Sequence, residues 1–441
     1  MNLIYGIKDK PKFGQMLVFA IQQLLAILAA TIAVPAIVGN GMTASAALFG
    51  AGVGTLVYQL FTKFNSPVFL GSSFAFIGSM VAAFAGAVSA EAGFAGIILG
   101  AILAGLVYVV IAIIVKLVGV KWINKLMPAV VIGPTVALIG MSLAGAAIND
   151  VFSYGPQDGN GAFIMTADLW VSFICAMVTL AVVVICSVYG KKMISLIPFI
   201  IGILAGYVVA LIFTVTGVSP VIDFNVFKDV SLFAVPEFTF LTALKGVKEI
   251  DATYIATVAV AYVPVAFVVF AEHLADHKNL STIIDKDLTE DPGLHRTLLG
   301  DGIGSIAGAI FGGCPNTTYG ESVGCVAITR NASVVTITTT AIMAILVSFI
   351  GPFVAFLDSI PGCVMGGVCI TLYGFIACSG LKMIQKVDLN ENRNLFVVAV
   401  ILITGIGGCT MAIGKVTLTT IACALILGIL TNVLLSFKDK K

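Results

Sequence analysis

The chain has 441 residues, 59% of them hydrophobic and only 10% charged, with 23 basic against 22 acidic side chains and a net charge of +1. Soluble domains carry about 25% charged residues, so this composition excludes a soluble globular protein, a disordered chain and a nucleic-acid binder. A mean hydropathy of +1.12 leaves an all-α polytopic membrane protein.

A helix crosses the hydrocarbon core with about twenty apolar residues, so charge-free runs mark candidate spans. Three lysines, Lys8, Lys10 and Lys12, precede the first run. That run, 13–62, has room for two helices, broken near Pro35 and Gly39-Asn40-Gly41. It is far longer than a signal-peptide core, so a cleavable signal is not expected. Further runs cover 64–90, 92–115, 126–149, 169–190, 193–222, 252–271, 302–320, 331–357, 359–381, 394–414 and 416–437. The short piece 322–329, between Glu321 and Arg330, reads as part of a broken span and brings the expected total to fourteen.

An even total puts both termini on one side. With that side cytoplasmic, 19 of the 23 basic residues fall inside, among them Lys8, Lys63, Lys121, Lys191, Lys278, Arg296, Arg330, Lys382 and Lys441. Only Lys228, Lys245, Lys248 and Lys415 fall outside. This bias is the positive-inside signature. Of the two long connections, 218–251 reads as an external amphipathic segment and 273–301 as a charged cytoplasmic loop.

Two segments echo each other. Pro67-Val68-Phe69-Leu70-Gly71-Ser72-Ser73-Phe74 and Pro315-Asn316-Thr317-Thr318-Tyr319-Gly320-Glu321-Ser322 each start with proline, run extended, meet glycine and enter a short apolar helix. They fall in the third and tenth expected spans, an odd number apart, so the copies have opposite topology. The expectation is two inverted seven-span repeats with short extended segments breaking spans 3 and 10. Irregular backbone at membrane depth must be buried in protein or line a wet cavity. Each following half-helix aims its N-terminal amides and positive dipole end at the midplane.

Carboxylates within a membrane are functional candidates by default. Glu272 closes the run 252–271, Asp276 follows at i+4 on the same helix face, and Glu321 opens the second half-helix. Asp276 reads either as a site residue or as an interfacial helix-end charge. Asp301 reads as a cap or loop residue. His273, His277 and His295 lie in or beside the 273–301 stretch with no zinc-ligand spacing, so a solvated loop is expected and no metal site. Gly302-Ile303-Gly304 lacks the rest of a dinucleotide fingerprint and reads as close helix packing. The nine cysteines form no Cys-x-x-Cys pair and read as buried core residues. No nucleophile–base constellation appears, so an enzyme is not expected.

Ala271-Glu272-His273, Asp291-Pro292-Gly293-Leu294-His295-Arg296, Pro315 to Glu321, Ala327-Ile328-Thr329-Arg330 and Gly71-Ser72-Ser73-Phe74-Ala75-Phe76 together resemble the nucleobase–ascorbate transporter family, most closely its branch of bacterial uracil permeases. The resemblance covers nearly the whole chain. It implies a core domain over 1–118 and 251–350 (spans 1–4 and 8–11) and a gate domain over 119–250 and 351–441 (spans 5–7 and 12–14). It further implies proton coupling without another cofactor, a homodimer, the cytoplasmic membrane as location, and a nucleobase as partner. Uracil-binding roles then fall on Glu272 and Glu321, main-chain amides on Phe74 and on Gly320 or Glu321, and proton coupling on Glu272, Asp276 and Glu321. Phe74, Tyr319 and Tyr373 are placed to cover the ring faces, with simple packing the other reading of Tyr373. Xanthine- and urate-type members usually carry glutamine where Glu321 stands, which favours uracil over a purine. Two positions depart from the family pattern: Ser322 replaces an asparagine, and Asp276 stands where some uracil permeases have histidine.

Overall fold

The computed structural model of the chain describes residues 3–119, 122, 128–191, 194–195, 197–228, 230–413 and 416–436. The uncharged stretch after Lys12 forms α1 (Phe13–Val38) and, past Gly39 and Gly41 with their positive φ, α2 (Ala44–Phe61). Thr43 caps α2 by accepting from the Ala46 amide. Next come the strand β1 (Leu70–Ser72), a 3₁₀ turn (Phe74–Phe76), α3 (Ile77–Ala85) and α4 (Ala90–Val118). The first half closes with α5 (Ala129–Ser142), α6 (Ala144–Val151), α7 (Ala167–Tyr189) and α8 (Pro198–Val215). A short helix, α9 (Thr239–Gly246), lies in the connection between the halves.

The second half repeats this order. It runs α10 (Ala252–Ile284), α11 (Leu294–Gly312), β2 (Asn316–Thr318), α12 (Gly320–Thr329), α13 (Val334–Val347), α14 (Gly351–Asp358), α15 (Gly362–Ile384), α16 (Asn392–Ile406), β3 (Met411–Ile413), β4 (Val416–Leu418) and α17 (Thr420–Ser436). Among the described residues, eight helices are long and apolar enough to cross a membrane. The chain is a multi-pass helical membrane protein.

Helices pack in two groups. In one, α2 and α4 lie against α11, α4 against α10, and α1 against α13. The α2–α11 contact needs glycine, because a Cβ on Gly50 would come within 2.6 Å of the Gly308 carbonyl and one on Gly304 within 2.8 Å of the Gly54 carbonyl. In the other group α5, α6 and α7 pack on α15, and α16 on α17. Helix α9, though it falls in 119–250, packs on α4 and α11. It brings Phe238 within 4.9 Å of Phe49 and starts an aromatic cluster with Phe240 and Phe311. At the opposite end, the segment before α1 straps the α12–α13 connection: the Ala332 amide donates to the Tyr5 carbonyl and the Val334 amide to the Ile7 carbonyl.

The structure corrects several expectations. The stretch 273–301 is not a solvated loop, since α10 runs on to Ile284 and α11 begins at Leu294. His273 and His277 are fully buried, because this polar stretch packs against α2, α4 and α11 instead of leaving the protein. Asp301 is neither cap nor loop; it sits inside α11, buried, and bonds to His273. The runs 394–414 and 416–437 do not continue as two plain helices. Gly407-Gly408, with φ +69° at Gly408, ends α16 and lets β3 and β4 pair as an antiparallel hairpin before α17. Lys415, Lys438, Lys440 and Lys441 lie outside the described residues.

Candidate functional site

The two Pro-led segments meet. β1 and β2 pair antiparallel, with Leu70 opposite Thr318, Gly71 opposite Thr317 and Ser72 opposite Asn316. The sequence showed two extended segments but not that they form one ladder. Their outer edges are satisfied by neighbours. Thr55 on α2 donates to the Leu70 carbonyl and accepts from the Leu70 amide, at 3.1 and 2.9 Å. Asn316 donates to the Gly50 carbonyl at 2.9 Å. The Tyr319 hydroxyl donates to the Ser72 carbonyl at 2.7 Å, and its ring lies against Gly71, where a Cβ would come within 2.4 Å of it. Buried backbone groups thus find partners although neither strand belongs to a larger sheet.

Each strand feeds a helix start: Ser72 leads into the turn at Phe74, and Thr318 into α12 at Gly320. The first amides of a helix have no intrahelical partner, so both starts present donors to the same space. Ser322, in the first turn of α12, ties this arrangement to α1: it accepts from the Gln23 side chain at 2.6 Å and from the Phe69 amide at 3.2 Å.

The space is a cavity of about 380 Å³. Its polar wall holds Glu272 and Asp276 from α10, Glu321 and Gly320 from α12, and Thr317 and Thr318 from β2. Phe74 and Ser73 close one side. Across from them α5, α8 and α15 supply an apolar wall, including Phe199 and Phe375. Of the expected residues, Glu272, Asp276, Glu321, Phe74, Gly320 and Tyr319 come together here. Tyr373 does not line the cavity; it is buried behind Phe74, edge-on at 6.0 Å. Phe199 and Phe375 escaped notice in the sequence. The helical spacing of Leu372, Phe375, Ser379 and Met383, all on the cavity wall, was the available signal.

Asp276 accepts from the Thr318 hydroxyl at 2.7 Å. Behind Glu272 and Asp276 lies a separate buried polar cluster. His273 Nδ1 is 2.7 Å from Asp301 Oδ2, and the His273 and His277 rings stack with centroids 4.0 Å apart. His277 Nε2 is 2.7 Å from the Tyr58 hydroxyl, which also meets Ser66 Oγ at 2.7 Å. Among the described residues no cluster of His, Cys, Asp and Glu is arranged to hold a metal ion.

The cavity adjoins a second, wider one of about 690 Å³. Ala275, Asp276, Ser379 and Met383 border both, and Lys278, Lys382 and Lys386 line the outer one.

Comparison with known proteins gives this geometry its context. A family model described as "Permease family" (Xan_ur_permease) matches residues 14–414. The chain belongs to this family, the nucleobase–ascorbate transporters. It is a permease, not an enzyme. It is 38% identical over 434 residues to the uracil permease of Bacillus subtilis (strain 168), covering 98% of this chain and 94% of that one. The uracil permease of Bacillus caldolyticus is 40% identical over 435 residues, again covering 98% and 94%. That of Escherichia coli (strain K12) is 35% identical over 426 residues, covering 96% and 92%. Among solved structures, the transmembrane domain of the cyanobacterial bicarbonate transporter BicA superposes with a TM-score of 0.66 at 17% identity, covering 97% of this chain and 100% of that one. Murine Slc26a9 in the inward-facing state gives 0.67 at 12% identity, covering 98% and 69%. The two structures share the fold.

Proposed function

We propose that the chain is a proton-coupled uracil importer of the cytoplasmic membrane, with no cofactor beyond the coupling proton. One observation carries the reading: three carboxyl side chains and two facing helix starts converge on one cavity of about 380 Å³, in a chain whose relatives at 35 to 40% identity are uracil permeases.

The chemistry matches. Uracil presents two N–H donors and two carbonyl acceptors on a small flat ring. Glu272 and Glu321 accept from the N–H groups, while amides at Phe74 and Gly320 donate to the carbonyls. Phe74, Phe199 and Phe375 supply apolar surface for the ring faces. A site of this kind rejects analogues that leave one of its buried groups unpaired.

The two packing groups supply the moving parts. Residues 1–118 and 251–350 act as a core domain and residues 119–250 and 351–441 as a gate domain, with both termini cytoplasmic and the protein a homodimer, as the family resemblance implies. The lysine-lined outer cavity then lies on the cytoplasmic side, and the aromatic cluster around Phe238 closes the external one, which makes this an inward-open arrangement. A protonated site binds uracil from outside; the core moves against the gate; loss of a proton from Glu272, Asp276 or Glu321 to the more alkaline interior releases the base.

The test is labelled-uracil uptake into proteoliposomes with an imposed proton gradient. Uptake should collapse when the gradient is dissipated and fall at least about tenfold in Glu272→Gln and Glu321→Gln, each of which replaces an acceptor oxygen by a donor. Thymine should compete and xanthine and hypoxanthine should not. Full uptake by the glutamine variants refutes the residue assignments, uptake indifferent to the gradient refutes coupling, and competition by the purines alone refutes the substrate.

A further inference from the structure

Helix α10 carries two kinds of polar residue in register. Glu272 and Asp276 face the cavity. His273 and His277, one position further on, turn to its other side and are fully buried. The hydrogen bonds around His273 fix its protons. Nε2 lies 3.0 Å from Thr297 Oγ1, and the Thr297 hydroxyl donates to the Leu294 carbonyl at 3.0 Å. An oxygen whose hydrogen is committed elsewhere can only accept, so Nε2 carries a hydrogen. That leaves Nδ1 at 2.7 Å from Asp301 Oδ2. Without a hydrogen between them, a ring lone pair would face a carboxylate, so one proton occupies this bond. The pair is then neutral imidazole with carboxylic acid, or imidazolium with carboxylate. Both sum to zero charge.

The other arrangement turns the Thr297 hydroxyl toward Nε2 and leaves Asp301 an anion accepting from Nδ1–H. It would strand a charge in a fully buried position whose Oδ1 has no partner, and among the described residues no lysine or arginine pairs with it. An uncompensated buried charge is among the costliest features a fold can hold. The titratable groups around the pair are Glu272, Asp276 and His277 on α10, Tyr58 on α2, and Tyr108 on α4 with its ring edge-on to His273 at 6.4 Å; Thr297 on α11 meets Nε2. None is a lysine or arginine: His277 gives its Nδ1 hydrogen to the His273 carbonyl at 2.8 Å, and its neutral form accepts at Nε2 from the Tyr58 hydroxyl.

We propose that Asp301 and His273 share one proton that stays with the protein through the whole transport cycle. The pair is a charge-neutral clamp between α10 and α11 that positions Glu272, and proton coupling is confined to the carboxyls of the cavity. This deepens the transport reading above and rests on it only for its binding readout.

Two arms test it. In the unmodified protein labelled with ¹⁵N-histidine, the ring nitrogens of His273 should hold constant shifts between about pH 5 and pH 8, where a free histidine titrates. In the second arm, Asp301→Asn keeps a donor to Nδ1 and removes the carboxyl, leaving neutral His273 with its hydrogen on Nε2. It should retain uracil binding with the pH profile of the parent, whereas Asp301→Ala should bind at least about tenfold more weakly. Titration of His273 in the native protein overturns the proposal. So does an Asp301→Asn variant that folds but loses binding or shifts its pH profile, or an Asp301→Ala variant that binds like the parent. If Asp301→Asn does not fold, the spectroscopic arm decides alone. Failure of the native protein to bind uracil at all refutes the function and leaves that same arm intact.

Discussion

Thr318 donates its hydroxyl hydrogen to Asp276 across 2.7 Å, and stands opposite Leu70 in the ladder that joins the two repeats. One residue therefore links the crossing of the strands to the orientation of a cavity carboxyl. Hydrogen bonds to charged groups contribute about 1.5–3 kcal/mol. Thr318→Val keeps the shape and removes the donor, so uracil affinity measured by calorimetry should drop about tenfold or more. Thr318→Ser should recover most of it. Parental affinity in the valine variant would show that Asp276 is oriented by something else.

Gly71 is the tightest point of the crossing. Its φ is not in the left-handed region, so the demand for glycine is purely steric: a Cβ would sit 2.4 Å from the ring of Tyr319. That ring is buried and tethered through its hydroxyl to the Ser72 carbonyl, so it has nowhere to move. Gly71→Ala should destabilise the protein by about 1–3 kcal/mol, the usual range for overpacking, and lower its melting temperature in detergent. Tyr319→Phe, which loses only the hydrogen bond, should cost about 0.5–1.5 kcal/mol. The order of the two variants is the check; a Tyr319→Phe variant melting below Gly71→Ala would show that the bond dominates.

The helices, the broken segments and the three cavity carboxyls were legible in the sequence because each follows from a local rule. Charge-free length marks a span, proline and glycine mark a break, and a carboxylate at the edge of an uncharged run marks a candidate site. What was not legible depends on pairing across long separations. Nothing near Gly71 announces that it lies against Tyr319, and nothing near Asp301 announces His273. The charged stretch 273–301 was misread for the same reason. Its polarity is locally that of a loop, and only the partners Tyr58, Thr297 and Asp301 make burial possible. The hairpin of β3 and β4 shows the limit of counting uncharged residues, since Gly408 breaks an apolar run that charge alone leaves whole.

Ser322, one of the two positions that depart from the pattern of the resemblance, pairs with Gln23 on α1. The Gln23 amide donates to Ser322 Oγ at 2.6 Å, and both residues are buried. Ser322→Ala leaves the Gln23 amide unpaired in the interior, at a cost of about 1–3 kcal/mol. Gln23→Leu leaves Ser322 with the Phe69 amide and should cost less. Removing both partners together should cost less than the sum of the single changes, because the Gln23 amide is then no longer stranded. Unfolding of all four proteins in one detergent gives the coupling energy directly. Strict additivity would mean that the pair is not coupled.

In the orientation proposed above, the route from the inner cavity to the cytoplasm runs through the outer cavity. Ser379 and Met383 on α15, with Ala275 and Asp276 on α10, border both the inner cavity and the lysine-lined outer one. Any base that leaves in this arrangement passes between these two helices. Ser379 is exposed to that space, so a larger side chain there fills solvent and does not overpack the core. Ser379→Trp should therefore fold with the parental melting temperature. It should block the neck, so that uracil counterflow in proteoliposomes falls at least about tenfold. Ser379→Ala should transport like the parent, which separates bulk from the lost hydroxyl. Counterflow at the parental rate in the tryptophan variant would place the exit elsewhere, and with it the moving surface proposed between core and gate.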